Sequence, residues 1–345
     1  MKVLSQKAAA RAAMLRGALH ARINAAEVAS IELPHTQFGR HGVITELNAD
    51  LLTEGTYRES LTTFAVGFRS PELDRDLEAL APGVQVARRF DYKAFDNAEA
   101  FYSELTDDLR APGADFKQVE YTAEEVSAKT QNRGLMVCVD ADQVAEDPNW
   151  EERYTGMLMR RLQLNKLRRA IALLSAASTD AAKTWDATAG KDPDQDVMAE
   201  IETAHTAAGV RPNRVAYGPT AWTKRVLSHR AQNSAGGFAS AGLSPEALAA
   251  FLGVEMVTRC DARYSTSAVA KAAALSNLVL LYNALAAATT EDPSNIKGFW
   301  SPCANGQRVM VHRWDIGAKK RAIAVEHYEL LKITSTLGMR KVTVS

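Results

Sequence analysis

The chain has 345 residues, of which 46% are hydrophobic and 24% charged, a soluble-protein composition with no run of about 20 apolar residues that could cross a bilayer. This length predicts roughly two or three structural units. Lys plus Arg and Asp plus Glu each number 41, and the zero net charge excludes the strong overall positive field of a dedicated nucleic-acid binder.

The cysteines give no sign of a disulfide framework. Cys138, Cys260 and Cys303 are odd in number and far apart, without the CxxC spacing of metal or redox sites. We therefore expect synthesis in a reducing cytosol.

The first 26 residues carry a basic amphipathic pattern. Five positive charges precede the first acid, Glu27, and an apolar face repeats at helical spacing through Leu15, Leu19 and Ile23. The pattern is compatible with a docking arm of the mature protein and with a removed targeting segment, and we favour the arm.

The sequence pattern of the next hundred residues changes near residue 90. Residues 31–90 mix short apolar runs with turn signals, which predicts loops and short helices. Residues 90–130 hold ten acids against four Lys or Arg, and Val119, Tyr121 and Ala123 alternate with polar residues. We expect an extended acidic hairpin there, followed by an apolar strand from Leu135 that returns the chain to a core.

The longest periodic segment follows. The turn at residues 147–149 and the absence of proline until Pro193 predict a long helix over 150–177, about 40 Å in length. Asp192 before Pro193 then predicts the start of a second helix, which should stop at Gly209.

Residues 205–318 alternate between helix and strand signals, which predicts one α/β unit. Strands are expected at 214–217, 254–258, 278–282 and 307–314, with helices at 221–229 and from 244 to Gly253. The Ser-, Ala- and Gly-rich stretch 234–242 is predicted to be a mobile loop. A last strand is expected at 322–328, before an alternating tail.

We find no motif for nucleotide, metal or nucleophilic chemistry. Ser240 resembles a nucleophile elbow only loosely, because Gly237 lies one position too far from it. Scattered histidines and adjacent acids are typical of structural or solvated residues; they include His205, His312, Asp107, Asp108, Glu124 and Glu125. We assign no catalytic residue, no cofactor-binding residue, no metal ligand and no cofactor, and we expect that the chain is not an enzyme.

The order of these parts resembles the Hong Kong 97-type major capsid proteins of tailed phages. The resemblance covers most of the chain from about Asn48 and rests on order and spacing, since each motif is degenerate. It is carried by residues 46–55, 88–92, the acidic hairpin, the helix 150–177, residues 211–219 with Trp222, residues 244–255, and the final strands from Ala322.

This resemblance implies an α+β capsid fold with an arm, an extended loop, a peripheral domain containing a long spine helix, and an axial α/β domain. The implied ranges are 1–45 for the N-terminal arm, 46–89 for the peripheral-domain lead-in, 90–135 for the extended loop, 136–204 for the peripheral domain with the spine helix, 205–318 for the axial domain, and 319–345 for the return to the peripheral domain.

The resemblance also implies function and partners. Hexamers and pentamers of the chain would form an icosahedral virion shell, assembled in the host cytoplasm, around double-stranded DNA contacted without sequence specificity and without a membrane. Portal and decoration proteins are implied partners, with a separate scaffolding protein or none. Some members link subunits through Lys–Asn isopeptide bonds; Lys93, Lys117 and Lys129 lie in the loop region, but no reactive pair is identifiable.

The charge pattern suggests one contact between subunits, and three other functions stay open. We expect residues 90–130 to lie over a neighbour's long helix, opposite Arg160, Arg161, Arg168 and Arg169, unless both faces simply meet water. An encapsulin-like compartment shell would share the fold but enclose a cargo enzyme. A cytosolic α/β enzyme would place its site at 234–242, and a processed organellar protein is suggested only by the basic start.

Overall fold

A computed structural model describes residues 56–95, 109–110, 112–113, 115, 124–188 and 190–345. The predicted arm 1–45, the first part of the lead-in and the strand expected around Val119 lie outside these residues, as do Asp107, Asp108 and Lys117. In the described residues the helices are α1 Glu59–Gly67, α2 Pro71–Leu80, α3 Trp150–Ala177, α4 Pro193–Ala208, α5 Pro219–Ala231, α6 Ala235–Ala241 and α7 Pro245–Leu252.

The strands within these same ranges fall into two five-stranded sheets and two hairpins. They are β1 Gly83–Gln85, β2 Arg89–Ala94, β3 Glu124–Lys129, β4 Gln131–Asp140, β5 Thr179–Lys183, β6 Arg214–Tyr217, β7 Met256–Arg259, β8 Arg263–Ser265, β9 Lys271–Ala273, β10 Leu278–Tyr282, β11 Ile296–Ser301, β12 Met310–Ile316, β13 Lys320–Ile333 and β14 Arg340–Val344.

The first sheet is organised by its longest strand, β13. On one side β13 pairs along ten residues with β4; on the other it pairs first with β12 and then with β11, all antiparallel. Strand β1 adds to β11 in parallel. Val311, Ile323 and Val325 pack from this sheet against α1 and the first half of α3, forming one hydrophobic core.

The second sheet has the order β5-β14-β10-β6-β7 and mixes parallel with antiparallel pairs. Its central strands are buried on both faces, which explains why residues 278–282 form a continuous apolar run. Val279 and Leu281 face the core under α4, α5 and α7. Leu280 and Tyr282 face the opposite core, formed with α2 and the second half of α3.

Helix α3 connects the two sheets, and its bounds confirm the predicted range 150–177. Asp147 lies just before it, where its carboxylate accepts from the Asn149 N–H and pairs with Arg153 of the first turn at 3.0 Å. Leu158 and Leu162 bury in the core of the first sheet, whereas Leu167, Ala170 and Leu174 bury in that of the second. At 1.5 Å per residue the helix is about 42 Å long, so one rigid element spans both units.

Other local predictions are confirmed. Asp192 caps α4 by accepting from the Asp194 and Gln195 N–H groups, and Gly209 ends the helix at a positive φ of 67°. The expected strands at 214–217 and 278–282 have those bounds. The strand expected from 254 is Met256–Arg259, and the helix opening at Ser244 is α7.

Residues 234–242 are not the loop that composition predicted, and this prediction was wrong. They form α6, which Ser234 caps by accepting from the Gly237 N–H. Gly237 lies so close to α5 that an added Cβ would be 2.5 Å from the His229 carbonyl oxygen. The small residues that suggested mobility instead permit close helix packing.

Sheet membership also departs from the predicted ranges. Strands β11 and β12, from the 205–318 range, belong to the first sheet, while β14, from the 319–345 range, pairs with β10 and β5 in the second. The paired stem ends at Lys129, within the hairpin predicted over 90–130, but β4 joins the first sheet from Gln131, inside the range 90–135 given to the extended loop. Long-range pairing decides these placements, and local pattern does not encode it. Which unit is peripheral and which axial stays a prediction.

Candidate assembly surfaces

Strands β2 and β3 form a two-stranded hairpin stem, paired from Arg89–Lys129 to Ala94–Glu124. Period-two alternation gives the stem two different faces. On the inner face, the ring centroids of Phe90 and Tyr92 lie 4.6 Å and 5.4 Å from that of Phe299 in β11. This aromatic cluster fixes the base of the predicted extended loop to the first sheet.

The outer face of the stem is charged and open to solvent. Asp91, Lys93, Glu125 and Lys129 are exposed, and Asp91 accepts from the Ser127 hydroxyl at 2.5 Å. Lys93 lies 3.9 Å from Glu291, a separation at which an exposed pair contributes little to stability. This face can therefore meet a partner without first breaking a strong internal contact.

The four arginines predicted as complementary charge on α3 differ in what they contact. Arg168 stacks on Tyr264 of β8, with its guanidinium carbon 3.6 Å from the ring centroid. Arg169 lies 3.4 Å from Glu329. Arg160 and Arg161 are exposed and take part in no ion pair among the described residues. Of the four, these two are therefore the least engaged within their own subunit.

A buried ionic network holds α3 to β13. Lys166 Nζ lies 3.5 Å from Glu329 Oε2, and both side chains are almost wholly buried. His327 Nε2 lies 3.1 Å from the same oxygen. Burial would raise the pKa of Glu329, but the charges of Lys166 and Arg169 and the hydrogen bond with His327 hold it well below its usual range. The network borders a cleft of about 560 Å³ between α1, α2 and α3.

A second buried cluster lies between α4, α5 and α6, and no sequence motif indicates it. Arg225 is fully buried and binds Asp194 through Nε at 2.6 Å and a terminal nitrogen at 2.8 Å. The same guanidinium donates to the Ser240 carbonyl at 3.0 Å, which fixes α6 in place. Burial raises the pKa of Asp194, but hydrogen bonds from His229 and Arg225 outweigh it and lower the pKa.

Ser240, the one loosely nucleophile-like residue, lies at this cluster as a half-buried member of α6 whose carbonyl, not hydroxyl, is engaged. Within the described ranges, no three His, Cys, Asp or Glu residues are grouped so as to hold a metal ion. His205 is exposed, whereas buried His312 lies 3.5 Å from Glu326. Glu124 and Glu125 are exposed on β3.

The three cysteines are free, and only Cys138 is exposed. Burial raises the pKa of Cys260 and of Cys303 to about 12, so neither thiol is reactive near neutral pH. Any link between subunits through a disulfide would therefore use Cys138. In the part of the chain that the structure describes, no helix is both long and apolar enough to cross a membrane.

The similarity of this chain to known proteins lies in its structure. No protein-family model matches the chain, and no curated protein matches its sequence. A phage-related protein from Bordetella bronchiseptica RB50 superposes with a TM-score of 0.59 at 20% identity, covering 83% of this chain and 96% of that one. The capsid of cyanophage P-SCSP1u superposes with a TM-score of 0.50 at 11% identity, covering 78% and 88%.

The chain has the Hong Kong 97-type capsid fold. The predicted α+β class is thereby confirmed. That α3 is the spine helix and the hairpin stem the base of the extended loop stays a prediction. The holo-SrpI encapsulin complex from Synechococcus elongatus PCC 7942 superposes with a TM-score of 0.42 at 12% identity, covering 79% of this chain and 87% of that one.

Proposed function

We propose that this chain is the major capsid protein of a tailed bacteriophage, a structural protein that assembles into the icosahedral head shell around double-stranded DNA. The observation that carries the proposal is the superposition of 83% of the chain on a phage-related protein, together with a long helix that joins two sheets and a hairpin stem that leaves one of them. A fold alone does not fix function, so the surfaces must support it.

The hairpin stem supports assembly because one of its two faces is packed on its own subunit and the other is charged and open to solvent. Phe90 and Tyr92 anchor the base, while the outer face stays charged and solvated. An exposed face of this kind gains buried area only against another molecule. We propose that residues 90–130 lie over a neighbour's α3 near Arg160 and Arg161, since Arg168 and Arg169 are engaged within their own subunit.

The proposed shell contains hexamers and pentamers of the chain, with the first sheet and α3 as peripheral domain and the second sheet as axial domain. Tiling of this kind needs head-to-tail contacts whose rotations close. Portal, decoration and separate scaffolding proteins are the proposed partners, and DNA contacts on the inner face are proposed to be independent of sequence. The virion is the proposed location, after assembly in the host cytoplasm.

The contents of purified particles test this function against the compartment alternative. Particles isolated from cells that carry the complete phage should contain double-stranded DNA that resists nuclease until the shell is opened. Particles that hold a single protein species and no protected DNA would contradict the phage function and favour the encapsulin-like alternative.

A further inference from the structure

Strand β7 is an open edge of the second sheet. Among the described strands it pairs only with β6. Two helices stand on either side of the edge: Arg75 lies on α2, and Glu246, Ala249 and Ala250 lie on α7. Between them runs a groove of about 630 Å³, which we call the edge groove.

The edge groove has the geometry of a strand-binding site. An edge strand flanked by a helix recognises extended chain by adding a strand to the sheet, and proteins usually protect such edges. Here β7 contains no proline or lysine. A long hydrogen bond of 3.4 Å, from the Arg75 side chain to the Arg259 carbonyl, crosses this edge. Met256 on this edge is 37% exposed.

The hairpin of β8 and β9 offers a matching element, which we call the short hairpin. Val269 at its tip is 94% exposed, an unfavourable position for a β-branched apolar side chain. Its two charged residues, Arg263 and Lys271, are exposed, and residues 262–274 contain no acid. The edge groove holds three acids against two arginines; the acids are Glu246, Glu255 and Asp261. Asp261 pairs with Arg259 and Glu255 lies 3.8 Å from Arg214, so Glu246 is the groove acid that the cations of the hairpin would complement most directly.

The short hairpin does not fill the groove of its own subunit. The residues lining the groove end at Asp261, before β8 begins. Tyr264 stacks under Arg168 and so ties the hairpin to α3 instead. The hairpin is therefore free to meet the groove of a second copy of the chain.

We propose that the edge groove of each subunit receives the short hairpin of a neighbouring copy. The contact is head-to-tail, because groove and hairpin are different surfaces of the same chain, and a contact of this type generates a ring when its rotation closes. The inference rests on the proposed function, since it names one contact from which a shell of identical copies is built. Val269 packs against Ala250 and Met256, and Lys271 and Arg263 lie toward the groove acids.

Engineered disulfides test the contact in full-length protein. The background is Cys138→Ser, which removes the exposed native thiol. Val269→Cys and Ala250→Cys are combined in one chain, and assembled particles are oxidised mildly and run on a non-reducing denaturing gel. A ladder of linked oligomers is expected from the double variant and only monomer from either single variant, because one bond joins each copy to the next.

The matched control pairs Val269→Cys with Ile316→Cys, an exposed apolar position on β12 of the other sheet. Intact particles without a ladder, or an equal ladder from the control pair, would overturn the groove contact while leaving the shell function standing. Failure of the wild-type chain to form any particle would instead contradict the proposed function.

A charge test needs no new cysteine. Arg263→Glu with Lys271→Glu should lower the assembled fraction at least about tenfold, since like charges would then meet across the contact. Both residues are exposed, so the unassembled variant should keep the wild-type melting temperature. Unchanged assembly counts against the contact. If the variant proves to be unfolded, the disulfide test decides, and the absence of the ladder then counts against the contact.

Discussion

Lys166 and Glu329 form a buried ion pair, with Nζ and Oε2 3.5 Å apart, between the long helix and the central strand of the first sheet. Arg169 and His327 also contact the carboxylate of Glu329. Removing one partner from such a site leaves a buried charge without compensation, which costs more than the pair itself contributes. The pair therefore fixes how α3 sits on β13.

Glu329→Gln should destabilise the unassembled subunit by about 3–5 kcal/mol, because Lys166 and Arg169 would lose their counter-charge in a buried site. Urea unfolding measures the change. Asp142→Asn, which breaks an ion pair between two largely exposed side chains, is the matched control and should have little effect. Equal effects of the two substitutions would show that the network does not hold α3.

Asp76→Asn should stabilise the subunit at neutral pH. Burial raises the pKa of Asp76 despite its contact with Arg75. A carboxyl whose folded pKa is raised favours the fold below its unfolded pKa, and that contribution is lost as pH rises through the folded value. The variant should therefore exceed wild type in melting temperature at pH 8 and approach it at pH 4. A variant less stable than wild type at pH 8 would refute this account.

Arg160→Glu combined with Arg161→Glu should impair particle formation and leave the subunit folded. Both side chains are exposed and make no ion pair among the described residues, so their charge is available to an acidic neighbour. Sedimentation measures the yield of particles, and the melting temperature of the unassembled chain shows whether the subunit is folded. The pair Arg160→Lys and Arg161→Lys keeps the charge and should assemble. Normal particles from the reversed variant would remove the proposed contact with residues 90–130.

Arg225→Met should release α6 and destabilise the second unit by about 3 kcal/mol or more, because Asp194 would remain buried with His229 as its only close partner in the cluster. Limited proteolysis should then cut within residues 234–242, which wild type protects. Arg230→Met, an exposed neighbour on the same helix, serves as the control. Continued protection of α6 in Arg225→Met would contradict the role assigned to this cluster.

Local signals predicted the helices well. Asp192, Pro193 and Gly209 mark both ends of α4, and the turn at 147–149 marks the start of α3, because capping and helix termination depend on residues adjacent in sequence. Such signals carry no information on which elements later meet. Helix α6 was missed because its Gly and Ser residues suit a loop as well as a closely packed helix.

The pairing of the strands and the contacts of the buried charges could not be predicted, for the same reason. Strand β14 reaches the second sheet because Asn295 holds the connection after β13, donating to the Ser335 and Leu337 carbonyls. Nothing near Asn295 in the sequence indicates this role. The contacts of Arg225 with Asp194 and of Lys166 with Glu329 likewise join residues 31 and 163 positions apart. Only the folded chain reveals which charged residues are structural and which remain free for a neighbour.

Negative-stain electron microscopy of the full chain expressed alone, with size-exclusion chromatography beside it, tests the central claim most directly. A shell protein should form closed particles or capsomer-sized rings as protein concentration rises, eluting far ahead of a 37.5 kDa monomer. A chain that stays a monomer or small dimer at every concentration, even with a scaffolding partner from the same phage, would contradict the capsid account.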